Sequence, residues 1–279
     1  MKLLKKSLLA LALLAGAGQA AAAPDVRLYR LDCGTMHIGD MSMMSDAGHY
    51  QGRSYDIVIS CYLIKHGDDW LLWDTGYPRA FQGGVTQGKL HMRLDRTIVD
   101  QIATLGLTPA DIGQVVLSHA HFDHAGQSND FPQSTLVIQR AEHAVLADRK
   151  EAEAHFIQPA LLEAHTAGAH PKLRLLDGDT DLFGDGTVRL YALPGHTPGH
   201  MALELTLARA GKVVLSGDQW HFTENHEGNQ VPTFNYDHAQ TLASSKRLDA
   251  IIARDRARLV IGHEPKDNAG LPALPRYLD

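Results

Sequence analysis

Cysteine and basic residues are scarce in this sequence, and no long apolar run follows its first segment. Neither of its two cysteines, Cys33 and Cys61, belongs to a C-x-x-C pair or a Cys/His finger, which excludes a thiolate zinc finger and a dithiol redox motif. The 26 basic residues are outnumbered by 32 acidic ones. Nucleic-acid binding depends on basic surface, so this charge argues against a nucleic-acid partner. No later segment approaches the about 20 apolar residues that a membrane span needs.

The first segment differs from the rest of the chain. Three lysines precede an apolar run over residues 7–17, which leads to three alanines at 20–22. This order is typical of a secretory signal peptide. We therefore predict a signal peptide over residues 1–22 and a single mature domain over 23–279, located in the periplasm or secreted. Cleavage after Ala20 and an uncleaved anchor are the alternatives. Loss of the three lysines takes the net charge from −6 to −9.

The two cysteines allow two interpretations. An exported protein meets an oxidising compartment, in which Cys33 and Cys61 could form a disulfide. Each cysteine also lies in an apolar, strand-like segment, where cysteine often serves as a small buried hydrophobic residue. The sequence leaves both alternatives open.

Hydrophobic patterns predict alternating groups of strands and helices. The predicted strands are 25–31, 55–65, 70–73, 114–117, 135–139, 188–192, 201–207, 212–216 and 259–261. The predicted helices are 97–105, a start at 108–111, 141–146, 158–165 and 240–254, and an irregular segment is predicted over 34–54. Most helices follow pairs of strands, which favours an α/β sandwich of two mixed sheets with helices outside over a doubly wound sheet.

The motif H-x-H-x-D-H occupies residues 119–124, directly after the predicted strand 114–117. Its first two histidines are two positions apart, so they project to the same side of an extended chain. Its aspartate and last histidine follow the turn and can face a second ion. Later histidines and an aspartate also follow predicted strands. The predicted metal ligands are His119, His121, Asp123, His124, His196, Asp218 and His263.

The alternative is a set of surface histidines in a chain that has 17 of them. Ordered placement at four predicted strand ends argues against it. Imidazole and carboxylate donors without thiolate suit zinc first, then iron, manganese or cobalt. Two divalent ions can ionise a bound water near neutral pH and polarise a carbonyl, so the pattern indicates a metal-dependent hydrolase.

These motifs, with D-T-G at 74–76 and P-G-H-T-P-G-H at 194–200, resemble the metallo-β-lactamase superfamily over essentially the whole mature chain. The resemblance implies an αβ/βα four-layer sandwich of two mixed sheets flanked by helices, with a dinuclear site between the sheets. It implies that Asp74 supports the site from behind the ligands, and His200 is predicted to do the same or to be a strand residue. By the family pattern one metal is bound by His119, His121 and His196, the other by Asp123, His124 and His263, with Asp218 bridging.

Two segments, 118–126 and 231–237, resemble the N-acyl-homoserine lactonase branch. The expected activity is quorum quenching, in which a hydroxide shared by the metals attacks the lactone carbonyl and Asp123 passes a proton to the leaving oxygen. The same site would also suit a broader lactonase or arylesterase, a phosphotriesterase or a weak β-lactamase. A bridging Asp218 argues against β-lactam hydrolysis as the main activity. A non-catalytic binding protein is the alternative from another class, and a complete ligand set argues against it.

One position departs from this branch. His221 stands where many such lactonases have a tyrosine, and its imidazole could donate a hydrogen bond to the substrate carbonyl, which makes it a catalytic candidate beside Asp123. A loop histidine without a role is the alternative. An apolar groove for the acyl chain is also expected, or ordinary packing of the same side chains. Its candidate residues are Met36, Met41, Met43, Met44 and Phe122. Related lactonases are often dimers, so a homodimer is possible.

Overall fold

The computed structural model describes residues 25–167 and 172–279, in which two β-sheets pack face to face with helices on the outside. The predicted signal peptide, residues 1–22, lies outside the described residues. Within the two described ranges, every helix is too short or too polar to cross a bilayer.

The larger sheet contains eight strands. They are β1 (Val26–Ile38), β2 (Tyr55–His66), β3 (Asp69–Trp73), β4 (Val85–Gln87), β5 (Leu90–Arg93), β6 (Gln114–Val116), β7 (Thr135–Gln139) and β8 (Leu173–Leu176). Their order is β4-β5-β1-β2-β3-β6-β7-β8. Strands β3, β6, β7 and β8 are parallel neighbours. The carboxyl ends of β3 and β6 therefore meet at one edge, and residues that follow these strands come close together.

The smaller sheet contains five strands. They are β9 (Thr180–Asp181), β10 (Val188–Ala192), β11 (Met201–Leu207), β12 (Gly211–Leu215) and β13 (Arg258–Val260). Their order is β13-β12-β11-β10-β9, and the β12–β13 pair is parallel whereas the other pairs are antiparallel. The carboxyl ends of β12 and β13 thus also meet at one edge.

In the part of the chain that the structure describes, eight α-helices, most of them short, surround the sheets. They are α1 (Ile98–Ala103), α2 (Phe122–Ala125), α3 (Arg140–Val145), α4 (Arg149–Ala154), α5 (Glu163–Thr166), α6 (Thr223–Gly228), α7 (His238–Asp255) and α8 (Pro265–Ala269). Thr97 and Asp100 form a capping box at the start of α1. Asp237 caps α7 by accepting a hydrogen bond from Gln240 N. Such caps satisfy backbone N–H groups that the first turn leaves without partners.

Three apolar clusters separate the layers. Ile64 and Leu71 of the larger sheet meet Leu203 of the smaller sheet in a fully buried cluster between them. A second, larger cluster covers the outer face of the larger sheet and includes Ile102 of α1. The third packs Leu248 of α7 against the outer face of the smaller sheet. The layers run helix, sheet, sheet, helix, and the predicted sandwich is confirmed.

The prediction of an irregular segment over 34–54 is wrong at its start. Strand β1 continues to Ile38, because residues 35–38 pair with 55–58 of β2 on one side and with 90–93 of β5 on the other. A single 3₁₀ turn follows over Met41–Met44. The predicted helix start at 108–111 is likewise only one 3₁₀ turn, Pro109–Asp111. Whether such a segment forms a strand depends on pairing with distant strands, which the local sequence pattern does not show.

The two cysteines form a disulfide between β1 and β2. Their Cα atoms are 5.9 Å apart, and both side chains are fully buried in the cluster on the outer face of the larger sheet. Cys33 and Cys61 therefore satisfy both interpretations of the sequence at once. Gly76, with a φ of 60°, packs directly against Cys33, where a side chain would collide. The disulfide thus lies beneath the D-T-G turn that carries Asp74.

Candidate metal centre

The seven predicted ligands converge at one rim of the sandwich. The motif over 119–124 follows β6, and the loop over 194–200 follows β10. Asp218 follows β12 and His263 follows β13. All seven side chains are buried, and Asp123 is the most exposed of them at 8 %. The residues brought together are His119, His121, Asp123, His124, His196, Asp218 and His263.

The first donor group consists of three imidazole nitrogens and one carboxylate oxygen within 4.8 Å of one another. His196 Nε2 lies 3.2 Å from His119 Nε2 and 3.2 Å from His121 Nδ1. It also lies 3.4 Å from Asp218 Oδ2. Two donors on one tetrahedral zinc ion, each about 2.0–2.1 Å from it, are about 3.3 Å apart. The four atoms therefore have the spacing of ligands around a common ion.

The second donor group consists of Asp123, His124 and His263. Asp218 Oδ1 faces it, 3.1 Å from His124 Nε2 and 3.1 Å from His263 Nε2. His124 Nε2 and Asp218 Oδ1 are buried and have no hydrogen-bond partner, although they are so close. Buried polar atoms need a partner, and one shared cation would satisfy both. Asp218 thus presents one oxygen to each group, the arrangement expected of a bridging carboxylate.

The protein groups alone set unusual pKa values at this rim. Burial, with the neighbouring imidazoles, holds the pKa of His119 and of His121 well below the ordinary value. Burial would raise the pKa of Asp218, but His124 and His263 outweigh it and hold that pKa well below the ordinary value. Burial would lower the pKa of His124, but the surrounding carboxylates, chiefly Asp218, hold it well above. Metals bind neutral imidazole, so cation binding here displaces a proton from His124.

Asp74 holds His124 from behind. Its Oδ2 accepts a hydrogen bond from His124 Nδ1 at 2.9 Å and from Ser118 Oγ at 2.8 Å. Its Oδ1 accepts from Ser118 N at 2.7 Å. Since Nδ1 of His124 carries the donated hydrogen, Nε2 is left free to face the donor group. The structure places Asp74 where the resemblance implies.

His200 supports Asp218 and does not belong to either donor group. Burial lowers the pKa of His200 to about 3, so its ring is neutral. Its Nδ1 donates to Leu193 O at 3.1 Å, and its Nε2 accepts from Asp218 N at 2.9 Å. Gly217, with a φ of 54°, allows this approach, since a Cβ there would lie 2.6 Å from His200 Nε2.

Two other histidines have outer partners that the sequence did not indicate. His196 Nδ1 lies 2.9 Å from Asn235 Oδ1, and His263 Nδ1 donates to Val58 O at 2.7 Å. Asn235 belongs to the segment 231–237 that resembles the lactonase branch, which was the available signal for it. Val58 acts through its backbone, so no side-chain pattern could have revealed it. Both contacts orient an Nε2 atom towards the donor groups.

Glu142 of α3 is a further residue that the sequence did not indicate. Its side chain is fully buried, and burial raises the pKa of its carboxyl. Its Oε1 accepts from Ala120 N at 2.9 Å and its Oε2 from Gly199 N at 2.8 Å. The carboxylate therefore ties the loop that carries His119 to the loop over 194–200 that carries His196. Glu142 ends a segment, 137–142, that resembles the lactonase branch, but the sequence indicated no role for it, because its two partners are backbone groups of distant segments.

Glu142→Gln is expected to weaken binding of the first ion. The amide keeps one acceptor but turns a donor group towards a backbone N–H, so one loop moves away from the other. Loss of such an outer contact lowers metal affinity about 10-fold to 100-fold. A competition titration with a zinc chelator measures the change, with exposed Glu153→Gln as the matched control. Wild-type affinity in Glu142→Gln would show that the two loops hold their places without it.

A small, mostly apolar cavity opens beside the donor groups. Its apolar wall contains four of the predicted groove residues and two aromatic residues that were not predicted. The wall includes Met36, Met43, Met44, Phe122, Phe156 and Phe234. The prediction is wrong for Met41, which is fully buried in the core and does not line the cavity. Met41 and Met44 are three residues apart and lie on the same buried side of the 3₁₀ turn, but only Met44 extends to the cavity.

His221 lies on the wall of the same cavity and is only 4 % exposed. Its Nε2 lies 3.3 Å from Asp218 Oδ2, and its Nδ1 has no hydrogen-bond partner. Its ring stacks on His263 with centroids 5.5 Å apart and meets the edge of Phe234 at 5.6 Å. His221 is therefore part of the site, which argues against a loop histidine without a role.

Two mixed sheets with a pair of buried His/Asp donor groups at their rim, beside an apolar cavity, define a metal-dependent hydrolase of the α/β sandwich class. The chain belongs to the metallo-β-lactamase superfamily, whose family model matches residues 55–263. This match includes all seven predicted ligands, and the resemblance derived from the motifs is confirmed.

Individual relatives agree with this assignment. The N-acyl homoserine lactonase AttM of Rhizobium johnstonii is 30 % identical over 267 residues, covering 91 % of this chain and 98 % of its own. An N-acyl homoserine lactonase of a Bacillus species is 29 % identical over 236 residues, covering 81 % of this chain and 89 % of its own. A solved N-acyl homoserine lactone hydrolase, with the product N-hexanoyl-L-homoserine at its catalytic metal centre, is 26 % identical with a TM-score of 0.77. It covers 92 % of this chain and all of its own.

Proposed function

We propose that this protein is a metal-dependent hydrolase that opens the lactone ring of N-acyl-homoserine lactones. The observation that carries the proposal is the position of Asp218, with one oxygen towards each donor group, at the floor of an apolar cavity. Similarity to lactonases from Rhizobium and Bacillus supports the same substrate class.

The shape of the cavity suits a substrate with a polar head and an apolar tail. Asp123, Asp218 and His263 supply polar groups to its lining, whereas methionine and phenylalanine side chains supply apolar surface. Small-molecule sites typically combine a mostly apolar lining with a few placed polar groups. A lactone ring at these polar groups would leave its acyl chain along Met36 and Phe122. Methionine adapts to varied shapes, which suits acyl chains of different lengths.

Each polar side chain has a proposed part in the reaction. When bound, two divalent ions supply Lewis acidity towards a carbonyl and a means of ionising water near neutral pH. His221 lines the cavity and donates a hydrogen bond to the carbonyl oxygen as negative charge develops there. Water adds to the carbonyl carbon, the ring C–O bond breaks, and Asp123 delivers the proton that the leaving oxygen requires. No protein nucleophile takes part, so no covalent intermediate forms.

Zinc is the proposed metal. The donor set contains five imidazoles and two carboxylates, with no thiolate and no cluster of carbonyl oxygens. Imidazole with carboxylate suits zinc ahead of magnesium or calcium, and iron, manganese and cobalt also accept this set. Plasma mass spectrometry of protein purified without added metal distinguishes these ions directly.

Proton release from ring opening tests the proposed activity. Zinc-loaded mature protein is incubated with butanoyl- and dodecanoyl-homoserine lactone, and a chelator-treated sample with zinc restored serves as the control. We expect rapid opening that the chelator abolishes and zinc restores. Absence of opening in protein that holds two ions would reject the substrate class. Turnover of aryl esters, phosphotriesters or β-lactams by that same protein would then identify the alternative.

We also propose that the protein acts in the periplasm or outside the cell. The signal-like composition of residues 1–22 and the Cys33–Cys61 disulfide support this location, since disulfides persist in oxidising compartments. Cell fractionation of the full chain and of a chain lacking residues 1–22 tests it, and equal cytoplasmic retention of both would reject it. The homodimer stays a prediction that light scattering of the purified protein can test.

A further inference from the structure

A third donor group overlaps the second one. Asp218, His221 and His263 each offer one ligand atom, and these atoms lie within 4.8 Å of one another. In the second group, Asp123, His124 and His263, the ligand atoms also lie within 4.8 Å of one another. The two groups share His263, whose Nδ1 is already engaged with Val58 O. His263 therefore has one free nitrogen, Nε2, and can serve one group at a time.

The spacing within the third group fits a cation. His221 Nε2 lies 3.3 Å from Asp218 Oδ2, and His263 Nε2 lies 3.1 Å from the same oxygen. Both values match the about 3.3 Å that separates two donors on one tetrahedral zinc ion. The 3.3 Å contact of His221 with Asp218 is close in length to the 3.4 Å contact of His196 with the same oxygen.

His221 differs from three other histidines of the site in what lies behind its ring. His124, His196 and His263 each have an Nδ1 atom in contact with an oxygen of Asp74, Asn235 or Val58. His221 Nδ1 is buried and has no such partner. Outer partners fix the orientation of a ligating imidazole and raise its affinity for metal. The ring of His221 is therefore less firmly oriented than the rings of these three histidines, which suits a ligand that binds the ion only part of the time.

We propose that Asp218, His221 and His263 form an alternative position for the second cation, exclusive with the position at Asp123, His124 and His263. This inference rests on the proposed metal centre and adds a second location for one of its two ions. His221 is then a metal ligand in part of the protein population. A tyrosine or phenylalanine at position 221 would remove this alternative and leave one location.

Crystals grown with zinc below saturation test the proposal without substrate. In the wild-type protein, anomalous difference density at the zinc edge is expected at two partly occupied positions for the second ion. One of them should lie about 2.0–2.1 Å from a His221 nitrogen. His221→Phe should show only the position at Asp123 and His124. A single position in both proteins, with His221 bonded to no ion, would overturn the proposal.

Titrations in solution give an independent readout. His221→Phe and His221→Gln are both expected to raise the Kd of the second zinc ion about twofold, because two equally occupied positions contribute equally to its binding constant, with the first ion unaffected. Glutamine keeps a hydrogen-bonding amide but no imidazole, so wild-type affinity in that variant would assign His221 to hydrogen bonding and overturn the proposal. His226→Gln is the matched control, because His226 contacts Asp249 and Trp220 and none of the donors.

The outcomes also separate this inference from the proposed function. Wild-type protein that binds no ions would reject both. Wild-type protein that binds two ions, with unchanged second-ion affinity in both His221 variants, would reject only the alternative position. Loss of affinity in His221→Phe and His221→Gln, with His226→Gln unchanged, would support it whatever the substrate proves to be.

Discussion

Asp218→Ala is expected to lose at least one bound ion and to reduce kcat/KM by about a thousandfold or more, because each ion supplies several kcal/mol of transition-state stabilisation. Asp218 faces both donor groups, through Oδ2 at 3.4 Å from His196 Nε2 and Oδ1 at 3.1 Å from His124 Nε2. Its removal also takes away the carboxylate that contributes most to the raised pKa of His124. Metal content and lactone turnover, measured on the same preparation, check this expectation.

The matched control is Asp249→Ala, which removes an exposed carboxylate of α7 that contacts only the imidazole of His226. It should retain both ions and full turnover. Asp218→Asn offers a milder change, since the amide keeps one oxygen and loses the charge and the second ligand atom. Two tightly bound ions and normal turnover in Asp218→Ala would contradict the proposed bridging role.

Asp123→Ala is expected to lose most of its turnover, about 10²-fold to 10⁴-fold in kcat, when assayed with saturating zinc. Its Oδ2 lies 3.8 Å from both His124 Nε2 and His263 Nε2, and its side chain borders the cavity. The carboxylate is thus placed both to bind an ion and to reach a substrate oxygen. Stopped-flow proton release gives kcat, and mass spectrometry gives the zinc content of the same sample.

The two roles of Asp123 can be separated. Asp123→Asn keeps an oxygen ligand but cannot carry a proton, so it should retain more zinc than Asp123→Ala while turning over slowly. An aryl ester, whose leaving group needs no proton, should be hydrolysed by Asp123→Asn at closer to the wild-type rate than a lactone is. Near-normal lactone turnover in a zinc-replete Asp123→Ala protein would reject the proton-transfer role.

The sequence could bring the predicted ligands together because each of them lies in a loop that follows a strand. Strand ends are local features, and glycine or proline stands between the strand and the ligand after β10, β12 and β13. The position of a buried strand in a sandwich then places the next few residues at a rim. For this reason the sandwich and the gathering of the ligands at one rim could be predicted before any distance was known.

Other features depend on segments that are far apart in the chain. Glu142 acts on the backbone of residues 120 and 199, which no side-chain pattern connects. The extension of β1 depends on pairing with β5, and Met41 is excluded from the cavity because its side chain is buried in the core. In such cases the local sequence pattern shows neither which distant segment is the partner nor which way a side chain faces.

The sequence by itself determined the chemistry of this site, since imidazole and carboxylate donors in that order at strand ends suit divalent ions and hydrolysis. It also indicated two mixed sheets with helices outside, through the order of the predicted strands and helices. Only the tertiary structure decided which oxygen of Asp218 faces which donors, and that His221 reaches both Asp218 and His263. The physical reason is that these distances span two packed sheets, and separation along a chain does not define separation across a core.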